Sequence, residues 1–332
     1  MLQKHLKSAC CRAHFIRYGG KRRQCVSCKR TWTIRPKRKG RKRFRAPRNL
    51  IERYFSRSLS TIRIFAKRNR WNRDHAQQMV RRSLLRYVSQ NRNKWSASLS
   101  SRGRLIAIAD AIWHKICGEK ITIYLILLRP VESAEAAIAL PIIAPGYEDK
   151  EGWAYAWKHI PPAYKRRIYG LVCDGHQWLT AFGYRQGWVV QRCQFHLLAN
   201  LQMYLGIRDR KRNSKVLTLV HALLATASPN RSRRLFAELA KIRVASKSRG
   251  MRRVLSGLET NYRDFQNYLR HPELNLPATT NAAESCVSGI RDVMRRCRGF
   301  RSEESARLWI TGYILWKKTI CCNGKNQQKK PV

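Results

Sequence analysis

Two apolar runs set the first limit on what this chain can fold into. Leu105–Trp113 reads LIAIADAIW and Lys120–Leu128 reads KITIYLILL, with Gly118 at the turn between them. Runs of this length, rich in Ile and Leu and broken by a glycine, predict two buried strands joined as a hairpin. Neither crosses a membrane, because the longest clear apolar stretch, Ile121–Leu128, has eight residues where a span needs about 20. The first residues, MLQKHLKSACCRAHF, lack the apolar stretch of a secretory signal, so the expectation is a cytoplasmic protein with no membrane partner. Beyond the hairpin, IALPIIA (Ile138–Ala144) predicts a third, shorter strand and EDKEGWAYAWKHI a helix. RIYGLVCDG (Arg167–Gly175) predicts a strand ending at Asp174, and GWVVQRC another that runs into a helix from about Gln194. Together these make a mixed α/β domain.

The strand pattern stops after residue 200. Val216, Leu219, Val220, Leu223 and Leu224, then Leu255, Leu258, Tyr262, Phe265 and Leu269, recur at helical spacing. An all-helical block at 201–275 therefore interrupts the α/β domain, and a last helix follows TTNAAES. Residues 49–90 are also expected to be helical, with Ser60 and Asn72 as N-caps. Two short amphipathic helices around Asn69-Arg70-Trp71 with basic outer faces predict a helix-turn-helix, which would place Arg70, Arg73 and Arg81 against DNA.

Charge narrows the partner. The 332 residues carry 69 Lys+Arg against 19 Asp+Glu, a formal net charge of +50. Of these, 30 of the basic and only 2 of the acidic residues lie in the first hundred positions. So much uncompensated charge implies a polyanion, nucleic acid first. The run RPKRKGRKRFRAPR, Arg35 to Arg48, has nine basic residues in fourteen, and Arg35, Lys37, Arg38, Lys39, Arg41, Lys42 and Arg43 are expected to track phosphates.

Eleven cysteines, an odd number unevenly placed, do not resemble a secreted disulfide scaffold. Metal binding is the better expectation for the four in the first 28 residues. Cys11-x2-His14 followed by Cys25-x2-Cys28 forms a four-ligand zinc set, with Cys10 competing with Cys11 as first ligand. Gly19-Gly20 supplies the hairpin turn between the two pairs.

Three carboxylates stand where an active site would want them. Asp110 follows four apolar strand residues, Asp174 closes the strand YGLVC, and Glu284 lies in the first turn of a helix opening at Asn281. Carboxylates from separate elements cannot share a small site while all ionised unless a cation neutralises them, and Mg²⁺ suits oxygen ligands. Two such ions about 4 Å apart would clamp an in-line displacement at a phosphodiester. Each acid also has a plainer reading. Asp110 could pair with an arginine, Asp174-Gly175 could be a turn, and Asn281-x2-Glu284 fits a capping box. Cys193-x2-His196 at a helix start could hold a soft metal together with Cys173 and His176. It could also be a core cysteine beside a hydrogen-bonded histidine, or place His196 against the acids.

The order of these motifs resembles a known family. Asp110 in its strand, CDGHQWLTAF, QRCQFHLLANL, and TTNAAES before the basic helix GIRDVMRRCRGF are similar to bacterial Mutator-like DDE transposases, in the branch with a zinc-binding N-terminal module. The resemblance covers roughly residues 10–318. It implies an RNase H-like catalytic domain split by a helical insertion, with Asp110, Asp174 and Glu284 as the Mg²⁺-binding triad (Mn²⁺ substituting) and Cys193, His196 and Asn281 in support. It also implies one structural Zn²⁺ at the N-terminus. The expected organisation is a zinc-ribbon-like module at 1–34, a basic linker at 35–48 and a helix-turn-helix domain at 49–98. The catalytic domain follows at 101–200 and 276–320, with the helical insertion at 201–275 and a basic tail at 321–332. The implied function is that of an insertion-sequence transposase. Acting at the nucleoid on double-stranded DNA, at terminal inverted repeats and target, it would cut with water and join through the freed 3′-hydroxyl. A homodimer or higher oligomer would bring two element ends together. A non-catalytic DNA-binding regulator and an RNase H-like nuclease or resolvase are the alternatives. The zinc set departs from the family, whose module more often has four cysteines.

Overall fold

A computed structural model describes residues 10, 14–18, 22–33, 49–56, 61–97, 99, 103–116, 118–205, 210–297, 300 and 302–322, the side chains of 210–213 excepted. Cys11 and the run from Arg35 to Arg48 lie outside them, as do Ser60, Gly19-Gly20 and the end of the basic tail. The chain divides into two compact units, Met1–Arg48 and Asn49–Val332.

The first unit has three short antiparallel strands, β1 (Phe15–Arg17), β2 (Arg22–Cys25) and β3 (Thr31–Thr33), in that order across the sheet. Phe15 meets Trp32 edge to face, and Cys25 is the one buried side chain among its described residues. So little apolar burial does not hold a sheet by itself.

The second unit opens with helices α1 (Leu50–Ser56), α2 (Ile62–Arg68) and α3 (Arg73–Asn91). Asn72 caps α3 by accepting from Asp74 N at 2.9 Å; α2 is capped one residue beyond the expected Ser60, by Thr61, whose hydroxyl accepts from Ile64 N at 3.3 Å. The turn between them closes where Trp71 N donates to Ala66 O and Arg70 adopts φ +54°. Arg70, Arg73 and Arg81 are all exposed.

The centre is a mixed sheet. Its strands are β4 (Leu105–Ile116), β5 (Glu119–Pro130), β6 (Glu135–Ile138) and β7 (Ile142–Pro145). Helices α4 (Lys150–Lys158) and α5 (Pro162–Lys165) precede β8 (Ile168–Cys173), then α6 (Gln177–Arg185) and β9 (Val189–Arg192) follow. The predicted third strand is thus two, β6 and β7, separated at Leu140-Pro141, where proline removes a ladder donor. Helix α7 (Gln194–Leu205) leads into the helical block α8 (Arg210–Ala225), α9 (Pro229–Ala245), α10 (Arg249–Thr260), α11 (Tyr262–Phe265) and α12 (Asn267–Arg270). The chain then makes α13 (Asn281–Arg296), α14 (Glu303–Lys317) and β10 (Thr319–Cys321).

Strand order is β10-β6-β5-β4-β8-β9, with β7 also pairing β5. The β4–β5 hairpin is antiparallel and turns at Gly118 (φ +88°), whereas β4, β8 and β9 run parallel. One face is covered by α4 and α6, burying Trp153, Trp157, Leu179 and Trp188 against Ala107, Ala109 and Ile126. Helix α13 packs on β4 and β5. Helix α14 in turn receives α1 and α3: Tyr87 donates to Leu315 O, Tyr54 meets Trp309, and Gly312 leaves room for Leu84, whose Cδ1 would lie 2.3 Å from an added Cβ. The helical block has its own core of leucines, including Leu201, Leu223, Leu255 and Leu258. It is tied to β9 by buried Gln191, which donates to Phe265 O and accepts from Tyr268 N. No helix among the described residues is long and apolar enough to cross a membrane.

Candidate active site

The parallel register between β4 and β8 sets the geometry. Ile108 lies opposite Val172, and Asp110 and Asp174 each come two residues further along, Asp110 still within β4 and Asp174 just past the end of β8. Strand β8 ends at Cys173, and Gly175 then turns the chain at φ +100°. There Asp174 Oδ1 accepts from His176 N at 2.8 Å. From the facing helix, Glu284 reaches toward the same place. The helix begins at Asn281 with Thr280 as its cap residue, and Glu284 N donates to Thr280 O. The Glu284 side chain is paired with His196 Nε2 at 3.2 Å, not with the cap amide, so the capping-box reading does not describe it.

Asp110, His196 and Glu284 offer ligand atoms that all lie within 4.8 Å of one another. Asp174 is outside that radius, and Asn281 is exposed at the helix start. Asp110 is buried, and desolvation pushes its carboxyl up to about 7, with Glu284 and Asp174 adding to the rise. Against the rise work His196 and the Ala111 amide, which donates to Oδ1 at 2.9 Å. Glu284 is held below the usual range, first by the hydrogen bond from His196.

Behind His196 stands a second layer. Cys193 is fully buried, and its thiol is lowered because hydrogen bonds from His196 and Thr280 outweigh the effect of burial. Thr280 donates to Cys193 Sγ twice, from its amide at 3.2 Å and its hydroxyl at 3.3 Å. The imidazole is raised to about 11, first by Cys193 and then by Glu284. His196 therefore stands between Cys193 and the Glu284 carboxylate, both of which favour its protonated form. Cys173 takes no part; its buried thiol lies 3.9 Å from Thr180 Oγ1 and is pushed up to about 12 by desolvation.

One acid was missed by sequence reasoning. Glu148 precedes α4, accepts from Trp153 Nε1 at 2.7 Å, and is raised first by burial and then by Asp174. Its neighbour Asp149 is the cap of α4, accepting from Gly152 N at 2.7 Å, and shares a hydrogen bond with Tyr124 Oη at 3.2 Å. Gly152 is required there, because an added Cβ would lie 2.1 Å from that hydroxyl. The signal in the sequence was the pair of adjacent acids, of which a helix cap uses one.

In the N-terminal unit, Cys10, Cys25 and Cys28 form a second group with mutual distances within 4.8 Å, Cys28 Sγ lying 3.4 Å from Cys10 Sγ. Tetrahedral zinc with bonds of about 2.3 Å places its sulfurs about 3.8 Å apart, so the donor set suits that ion. His14 is not in this group; its carbonyl accepts from Val26 N at 3.1 Å. No family model matches the chain, and no curated protein matches it either.

Proposed function

We propose that this chain is a metal-dependent DNA transposase of the DDE type, built on an RNase H-like sheet. The observation that carries the reading is the convergence of Asp110 and Glu284, from strand and helix, on a point beside Asp174. Burial first, and then the charges of Glu284 and Asp174, raise Asp110 to about 7. A pair of Mg²⁺ ions held by Asp110, Asp174 and Glu284 would remove the repulsion, and would supply Lewis-acid polarisation and a deprotonated water. The sheet, antiparallel on one side of β4 and parallel on the other, and the helical block between the second and third acids also support it.

The chain's own residues have definite tasks in this reading. His196 donates to Glu284 and holds its carboxylate in one orientation, with Cys193 and Thr280 fixing the imidazole from behind. Water attacks the scissile phosphorus, and the 3′-oxygen leaves as a hydroxyl that then attacks target DNA. Exposed Arg70, Arg73 and Arg81 on α2–α3 and the basic run from Arg35 would bind phosphates, with terminal repeats read by the helix-turn-helix. One zinc would close the Cys10, Cys25 and Cys28 group, and a dimer would bring both ends together. A cysteine nucleophile is disfavoured despite the Cys193–His196–Glu284 line, because Cys193 has no exposed surface to meet a substrate.

The test uses the full chain with labelled DNA from the two flanks of its own gene, in Mg²⁺ and in Ca²⁺. Nicking and joining in Mg²⁺, both lost in Glu284→Gln, is the expected result. Specific binding without either reaction would make the chain a DNA-binding regulator, and nicking without joining a nuclease.

A further inference from the structure

Strand β4 does not stop where β8 stops. Its pairing with β8 ends at Ile108, yet it continues to Ile116, eight residues further, still paired with β5. That overhang carries Trp113, which is 60% exposed. Residues directly opposite in an antiparallel pair share a face, so Trp113 and Thr122 lie together, and Lys115 and Lys120 beside them. Thr122 Oγ1 donates to Gly146 O at 2.9 Å, and Gly146 N donates to Lys120 O at 2.8 Å. These bonds bind Tyr147 to the same face, where its ring, 59% exposed, lies 3.9 Å below the Lys120 ammonium. Single exposed aromatics are ordinary; two on one face, fixed by backbone hydrogen bonds and flanked by two lysines, are not.

The place of this face matters as much as its make-up. Trp113 is three residues, about 10 Å, beyond Asp110 along one strand. Tyr147 immediately precedes Glu148, whose carboxyl responds to Asp174 and His196. Because Asp110 and Trp113 point to opposite faces, a strand running between them passes over the edge of β4 that β8 leaves open. The only acid in the hairpin turn, Glu119, alternates to the other face from Lys120. The nearest acids on this face, Glu148 and Asp149, are tied down by hydrogen bonds from Trp153 Nε1 and from Tyr124 Oη and Gly152 N. Lysines beside exposed aromatic rings match a nucleic-acid strand, since every base has a face to stack and every nucleotide a phosphate.

We infer that Trp113 and Tyr147, with Lys115 and Lys120, form a stacking platform for unpaired bases of the DNA strand within about three nucleotides of the scissile phosphate, at 3.4 Å per step. The inference rests on the proposed reading of the carboxylate site. It adds that the enzyme holds the DNA end open, with one or two bases out of the duplex.

The experiment measures binding of the full chain, in Ca²⁺, to two forms of one flank DNA. One is fully paired, and the other has three unpaired nucleotides at the end to be cut. Wild type should favour the open end. Trp113→Ala should weaken that complex by about 5- to 100-fold, leave the paired one within twofold, and so erase the preference. Trp113→Phe should restore most of it, and Tyr147→Ala should lose less. Photocrosslinking from a 5-iodouracil in the unpaired stretch should label Trp113 or Tyr147. Equal loss on both DNAs, or no loss on either, overturns the platform even if Mg²⁺-dependent nicking is found. Erasure of the preference in a protein that never nicks would leave the platform standing and remove the transposase reading. Failure to bind either DNA would overturn both.

Discussion

Two groups of metal-ligating side chains occur among the described residues, and they are built in opposite ways. Cys10, Cys25 and Cys28 belong to a unit whose three strands have three or four residues each, with Cys25 the one buried side chain among its described residues. Asp110, His196 and Glu284 stand on a sheet and helices whose cores include Trp153, Trp157, Ile106 and Val287. In the proposed reading the thiols, two of them exposed, would need a metal to complete their unit, whereas the carboxylates are brought together by packing that does not involve one. An ion would contribute folding free energy in the first case and offset the cost of clustered acids in the second.

The largest expected effect separates the two. A strong zinc chelator, or Cys28→Ser, should unfold the N-terminal strands completely, since a structural zinc site contributes on the order of 10 kcal/mol. Trp32 fluorescence and protease sensitivity of residues 15–33 would report it, with one zinc per chain by metal analysis. The melting of the second unit should not move. A shared loss of both units would break the comparison.

Asp110→Asn is the converse. It should abolish nicking, yet raise the stability of the second unit above pH 8 by about 2–4 kcal/mol in urea unfolding. The sign follows from the shift: the folded carboxyl titrates near 7 and the unfolded one near 4. Below about pH 4 both states are protonated and nothing is lost. Between 4 and 7 the unfolded state releases its proton first and the folded state loses ground, fully so above 7. Glu284, held low by His196, has the opposite sign, and its contribution disappears as pH falls through its folded value.

The same titration governs cation binding. Mg²⁺ or Ca²⁺ should release close to one proton per Asp110 at pH 6, and affinity should fall up to tenfold per unit below pH 7. Calorimetry in buffers of different ionisation enthalpy measures it. Affinity for Mg²⁺ that is flat from pH 5 to 8 would take Asp110 out of the ligand set.

How much of this was legible in the sequence depends on what fixes each residue. The β4–β5 hairpin was readable because its apolar runs and Gly118 act locally, and Asp110 was conspicuous because an acid in such a strand needs a partner. The edges of the sheet were not. The three-residue β10 pairs β6 from almost two hundred residues away, and no local pattern marks it. Glu148 was hidden because EDKEG reads as a helix start, which it is for Asp149 alone. Thr280 looked like one letter of a motif. Its two hydrogen bonds to Cys193 depend on the start of α13 meeting the start of α7, which spacing cannot convey. At the thiols, Cys-x2-His predicted a ligand pair of which Cys11 lies outside the described residues; among those described, Cys10, the competing first ligand, is the cysteine beside Cys28.

Thr280 gives the smallest and sharpest prediction. Its hydroxyl donates to Cys193 and lies 3.5 Å from His196 Nδ1, so it acts on Glu284 only through the imidazole. Thr280→Val keeps the shape and the amide hydrogen bond while removing the hydroxyl's hydrogen bond to the Cys193 sulfur, a change of about 1 kcal/mol after relaxation. Cys193 should become harder to ionise and His196 should lose part of its elevation above the ordinary imidazole value, visible by NMR titration of the ring. Nicking should slow by roughly fivefold with KM unchanged, because the loss is in holding Glu284 and not in binding DNA. Thr280→Ser, which keeps the donor, should recover the rate. If valine and serine are equally slow, Thr280 serves packing alone, and the imidazolium is held by Cys193 and Glu284 without it.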